Sequence, residues 1–355
     1  MNTPEKLKVA IVIPTMNRAD FLIRQLRYYA SVNCPHPIYI DDASEDSNAD
    51  RLKAEVENLK NHITISYSNP GKCTNFQSML NLLSRVKENY VAYCGDDDYL
   101  IPGTLTRCAE FLDQHADFST AQGKAVSFRL QDQGAYGKLK KIANYPRRSI
   151  EADSARDRFT SLMQNYFVSL FAVHRAAQIK KNFLEIGTGI DRSFAEEILL
   201  VALDLVEGKS KTLDELGLVR QIHERHYELP DTYDWLTSEK FHDAYAQFES
   251  MISRAIAASD TISQEAAKKA VKRGFWAFLK YQLEREFPFV HKDLEKPKTV
   301  SLRNKIAKRF PLLRRVYQNI CSFNGDKNLH AAVLQPKSKY YYDFKPVMES
   351  FSKTP

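Results

Sequence analysis

Val9 to Ile13 follow one another as Val-Ala-Ile-Val-Ile, with no polar residue between them. An apolar run without alternation predicts a strand covered on both faces, as in a parallel sheet. Residues 8–13 are read as that strand, ended by Pro14. Phe21, Leu22, Leu26 and Tyr29 then recur at helical spacing and predict a helix over 19–32. The alternation continues with a second strand at Ile38, Tyr39 and Ile40. A helix follows, opened by a Ser47–Asp50 capping pair and carrying Ala49, Leu52, Val56 and Leu59 inward. A third strand at 63–67, a helix with Phe76, Met79, Leu80, Leu83 and Val86 inward, and a fourth strand at 90–93 complete the set. Strands alternating with helices in this way predict a parallel βαβ sheet. The polar loops after the first, second and fourth strands then open on one sheet edge, where open α/β sheets hold ligands.

Pro102 suits the first turn of a helix reaching Gln114, and a strand is expected over 118–130. Residues 131–149, with Gly134, Gly137 and several Lys and Arg, read as a mobile surface loop. Asp153 is the expected cap of a helix burying Phe159, Leu162, Met163 and Tyr166, and 167–173 is expected to return as a strand. A strongly apolar helix over 194–207 closes at Gly208 and carries Glu196 and Glu197 in its first turn. A last strand at 213–222 precedes His223-Glu224-Arg225-His226. Beyond Pro230 only helical patterns remain, at 241–258 and 262–287. The chain is therefore divided into an α/β domain over 1–228 and a helical region over 229–355. The tail around Tyr340-Tyr341-Tyr342 carries no readable pattern.

Composition narrows the function classes. A net charge of +7 in 355 residues is modest and does not suggest a nucleic-acid binder. Cys34, Cys73, Cys94, Cys108 and Cys321 are scattered and form no Cys-x-x-Cys pair, which argues against a zinc ribbon or a disulfide framework. No apolar run reaches the length of a membrane span, so a cytoplasmic protein is expected. Residues 301–320 interleave six basic residues with large apolar ones, which keeps peripheral contact with an anionic membrane face open.

The chemistry concentrates in Tyr-Cys-Gly-Asp-Asp-Asp-Tyr, where Asp96, Asp97 and Asp98 lie on a strand-to-helix loop. Adjacent carboxylates repel unless a cation neutralises them, and oxygen ligands of this kind suit Mg²⁺ or Mn²⁺. Helix capping accounts for the same acids, so both readings stand at this point. There is no Gly-x-Gly-x-x-Gly after the first strand and no Gly-Lys-Ser/Thr phosphate loop.

Four pieces in order resemble the family 2 glycosyltransferases of GT-A fold over residues 6–226. They are Val-Ala-Ile-Val-Ile-Pro-Thr-Met-Asn-Arg, Ile-Asp-Asp-Ala-Ser-Glu-Asp, the triple-aspartate loop through Pro102, and the acidic pair at a late helix start. The resemblance implies a metal-dependent transfer from a nucleoside diphosphate sugar, with uridine diphosphate favoured, to a hydroxyl of a glycan or lipid-linked acceptor, with inversion. It implies metal binding by Asp97, with Asp96 and Asp98 as further candidates, because Gly95 stands where many members carry the first acid of an Asp-x-Asp motif. It implies base recognition by Asp42, a donor loop of Thr15, Asn17 and Arg18, diphosphate contact by Arg18 or Lys72, and donor contact by Asp96. Glu197 falls at the place of the catalytic base. His223 and His226 are read first as surface or satisfied core histidines, with contact to the diphosphate or metal as the alternative that the resemblance implies. The chain lacks the Gln-x-x-Arg-Trp signature of processive synthases, which favours single additions. A non-catalytic nucleotide-sugar or glycan-binding protein of the same fold is the competing reading.

Overall fold

The computed structural model describes residues 7–224, 230–286 and 328–352. Strand β1 (Val9–Thr15) pairs in parallel with β2 (Ile38–Asp42) and β4 (Tyr90–Tyr93), and β2 pairs in parallel with β3 (Ile65–Ser68). Helices α1 (Ala19–Ser31), α2 (Asp46–Leu59) and α3 (Asn75–Arg85) supply the crossovers. Pro14 does not end β1. Pairing with β4 stops at Val12, so the missing N–H of Pro14 lies beyond that ladder, while pairing with β2 runs on to Thr15.

The second half mixes antiparallel pairs with one long parallel ladder. After β5 (Tyr99–Leu100) and α4 (Pro102–Gln114) come β6 (Phe118–Leu130), β7 (Leu139–Tyr145), α5 (Ala155–Gln164), β8 (Val173–Arg175) and α6 (Ala176–Ile186). A π-helical turn (Phe194–Ile198) leads into α7 (Leu199–Glu207) and then β9 (Lys209–Gln221). The sheet order is β3-β2-β1-β4-β8-β6-β9-β5, with β7 on β6. Most expected elements are found within a few residues, and four expectations need correction. The supposed loop at 131–149 contains β7, whose Lys140 and Lys141 point to solvent along an edge, so the polar composition disguised a strand. Residues 167–172 are a packed loop rather than a strand, since Phe167, Leu170 and Phe171 are buried without a ladder, and the strand begins only at Val173. The first cap of α2 is Glu45, not Ser47, and that of α5 is Ser154, not Asp153. Helix α6 had no counterpart in the sequence reading.

Alternation along β1 sends Val9, Ile11 and Ile13 to one core and Ala10 and Val12 to the other, giving an α/β/α sandwich. Beyond residue 229 lie α8 (Thr232–Leu236), α9 (Phe241–Asp260) and α10 (Gln264–Glu286). Here α10 packs on α5 and α9 on α7, so this region completes the second core. After α11 (Leu329–Ala332), α12 (Tyr341–Ser352) crosses to the opposite face and buries Phe344, Val347 and Phe351 in the first core. The tail that carried no readable pattern is thus a core helix. Residues 301–320 and the boundary near 228 lie outside the described residues. No helix among the described residues is long and apolar enough to cross a membrane. Cys34, Cys73, Cys94 and Cys108 are free thiols.

Candidate active site

A cavity of about 590 Å³ opens at the carboxyl ends of β1, β2 and β4. Thr15, Arg18, Asp96, Asp97, Asp98, Glu196 and Glu197 all line it. Asn17, Asp42 and Lys72 stand beside it. Asn17 adopts a left-handed φ of 55°, which asparagine tolerates, and ties the β1 loop to the β2 loop through Ser44 Oγ at 2.7 Å. Asp42 is fully buried; its Oδ1 accepts the Ser44 N–H at 2.9 Å and its Oδ2 the Tyr67 hydroxyl at 2.7 Å. Lys72 is exposed on the rim next to Cys73.

The three aspartates have separate fates. Asp96 accepts the Thr15 hydroxyl at 2.7 Å and pairs with Arg18 at 3.1 Å. Burial pushes it up to about 7, against the pull of Arg18. Asp98 is turned toward β9, where it takes Arg220 Nε at 3.0 Å and the Gln221 N–H at 3.1 Å; burial pushes it to about 7 as well. Asp97 is opposite in sign: burial raises it, but hydrogen bonds from His223 and Arg18 outweigh that and hold it well below the usual carboxylate range. Gly95 permits this arrangement. A Cβ there would stand 2.8 Å from Asp97 Oδ1 and 3.3 Å from Asp98 Oδ2, so an acid at this position would push both carboxylates aside.

His223 takes the core place that the sequence reading favours, where it meets the acid loop; His226 lies outside the described residues. His223 is buried, stacks on Phe21 at 4.8 Å, and brings Nε2 to 2.9 Å from Asp97 Oδ2. Arg18 Nη2 lies 2.7 Å from the same oxygen and 2.9 Å from the same nitrogen. Among the described residues no three His, Cys, Asp or Glu side chains form a metal cage. Asp97 and His223 nevertheless offer one oxygen and one nitrogen at 2.9 Å. Two cis ligands of an octahedral ion with bonds of about 2.1 Å stand about 3.0 Å apart. Asp97 and His223 are thus the residues that could hold a Mg²⁺ or Mn²⁺ ion.

Arg24 and Gln25 were missed, because a buried stretch of α1 looks like a polar helix face in sequence. Arg24 donates to the Asp97 carbonyl at 2.9 Å and to Gln221 Oε1 at 2.5 Å, and Gln25 donates to the Gly95 carbonyl at 2.7 Å. Together they fix the acid loop from below. On the opposite wall Glu197 lies in the π-helical turn, a deviation often found at functional sites. Its Oε1 accepts the Tyr166 hydroxyl at 2.9 Å, and burial raises its pKa despite that bond.

A mainly parallel α/β sheet with an acid loop after its fourth strand and a carboxylate facing that loop defines a nucleotide-sugar transferase fold of the GT-A kind. Residues 10–163, rather less than half of the chain, match the family model described as Glycosyl transferase family 2. The crystal structure of S. aureus TarS superimposes with a TM-score of 0.50 at 15% identity, covering 97% of this chain and 54% of that one. The chain thus spans about half the length of that protein. The crystal structure of S. aureus TarS 1-349 in complex with UDP gives a TM-score of 0.50 at 15% identity, covering 97% and 89%. At this identity the likeness is one of fold. No curated protein matches the chain.

Proposed function

We propose that the protein transfers a sugar from a uridine diphosphate donor to a hydroxyl of a glycan or lipid-linked acceptor, with inversion and with Mg²⁺ or Mn²⁺ as cofactor. The observation that carries this reading is Asp97, which lines the same cavity as Glu197 and has His223 Nε2 behind it at 2.9 Å. The UDP complex of TarS 1-349 supports the choice of nucleotide. Asp97 and His223 hold the ion, and Asp96 lies beside them on the donor wall. Asp98, paired with Arg220, has a structural role in this reading. Asp42 and the Asn17 loop shape the nucleotide side, and Lys72 approaches from the rim. The cation, when bound, stabilises the charge that develops on the leaving diphosphate.

Glu197 takes the proton of the acceptor hydroxyl as that oxygen forms its bond to the anomeric carbon, while the bond from that carbon to the diphosphate oxygen breaks. One displacement of this kind inverts the centre. Tyr166 holds the carboxylate in place, and its hydrogen bond favours the ionised form that a base requires. Calorimetric titration of UDP with and without Mn²⁺ tests the donor half of the proposal. Binding should strengthen with the metal, and Asp97→Ala should lose that dependence. Equal metal-dependent affinity in the variant would remove Asp97 from the site.

A further inference from the structure

Arg18 occupies the point toward which the two candidate ligands converge. Its guanidinium pairs with Asp96 at 3.1 Å and Asp97 at 2.7 Å, and Nη2 lies 2.9 Å from His223 Nε2. The arrangement is internally conflicted. A ring nitrogen carries either a proton or a lone pair. Nε2 can therefore donate to Asp97 or accept from Arg18, but one nitrogen does not satisfy both. The Arg18 Nε–H is also buried without a hydrogen-bond partner. A divalent ion at this place would take a lone pair from each ligand and remove the conflict, but it cannot share the place with a guanidinium.

We infer that Arg18 is an internal cation that competes with the metal, a role resting on the reading that Asp97 and His223 bind Mg²⁺ or Mn²⁺. Without ligand, Arg18 neutralises the buried acids and holds the cluster together. When the metal enters, the guanidinium leaves Asp97 and His223 and turns to the phosphate oxygens of the donor, for which its planar fork is suited. Displacing Arg18 weakens binding of the metal alone, and a diphosphate that gives Arg18 a new partner relieves that penalty. Metal and nucleotide therefore promote each other's binding by the same factor. A site of this kind takes up metal mainly together with its donor.

Titration of Mn²⁺ alone, followed by calorimetry or by loss of the free-ion paramagnetic signal, tests the inference without any activity measurement. Arg18→Met should bind Mn²⁺ at least about tenfold more tightly than wild type in the absence of UDP, and added UDP should raise its Mn²⁺ affinity by a smaller factor. Equal or weaker affinity for Mn²⁺ alone would overturn the role of Arg18 while leaving the metal site standing. Absence of Mn²⁺ binding in wild type and variant alike, with or without UDP, would overturn the metal site itself. Should the variant not fold, crystal structures of the wild type with and without Mn²⁺ and UDP decide. Arg18 should lie on Asp97 and His223 only when the metal is absent, and an occupied site with Arg18 still in place would refute the exchange.

Discussion

Glu197 and Tyr166 form the pair on which the proposed mechanism depends most. Burial places the Glu197 pKa above the ordinary carboxylate range, while the Tyr166 hydroxyl, Arg220 and Arg285 pull it down. Glu196 and Arg192, ion-paired at 3.3 Å, are the charged neighbours on its own turn. A general base must be ionised, so activity should fall as pH drops through this pKa. Glu197→Gln should leave UDP binding intact and lower turnover by about 10²- to 10⁴-fold. Unchanged turnover would take Glu197 out of the mechanism. Tyr166→Phe removes a bond to the charged form and lets the pKa rise, so the acid limb of the kcat/KM profile should move to higher pH. A limb that stays in place, with Glu197→Gln still inactive, would leave Tyr166 as packing alone.

At the scale of elements, the wall carrying Glu197 depends on how closely α10 approaches α5. Gly274 faces the Phe159 ring, and a Cβ there would overlap it. Phe278 of the same helix meets the Tyr166 ring edge-on at 5.1 Å, so the helix that touches Phe159 also backs the hydroxyl on Glu197. In Gly274→Ala the better helix propensity returns about 1 kcal/mol. Overpacking costs about 1–3 kcal/mol. The cost should win, lowering the melting temperature by a few degrees in a calorimetric scan. A rise would show that α10 moves away freely and that the contact is not tight.

Across the whole molecule, the acid loop is supported by the far end of the chain. Phe351 in α12 is fully buried and stacks on Phe128 at 4.7 Å, and its carbonyl accepts the Gly137 N–H at 2.9 Å. The Gly134 carbonyl in that same loop accepts Gln221 Nε2 at 2.7 Å, and Arg24 binds both the Ala135 carbonyl and the Asp97 carbonyl. Contacts thus run from the last helix to the proposed metal ligand. Phe351→Ala should cost about 3–5 kcal/mol, read from urea denaturation, because a large ring leaves a closed core. A loss under about 1 kcal/mol would mean that α12 docks only loosely.

Some of this was fixed locally and is legible in the chain. The apolar runs of β1, β2 and β4 and the stripes of α1 and α3 carry their own periods, and the acids after β4 declare a loop because Gly95 and Pro102 bracket it. Those features determined the parallel half of the sheet and the edge on which the acid loop opens. Other features depend on partners distant in sequence and have no local signal. Strand β7 is polar because only pairing with β6 makes it a strand, and α12 looks patternless until its three aromatic and aliphatic side chains meet the first core. Arg24, Gln25 and His223 are polar residues that become interior only when α1 and the end of β9 close over the acid loop. Which partners each of three adjacent aspartates takes is decided the same way: Arg220 holds Asp98, Thr15 and Arg18 hold Asp96, and His223 and Arg18 hold Asp97. Charge, burial and hydrogen bonding at that point are properties of the assembled fold, since each depends on groups brought together from opposite ends of the α/β domain.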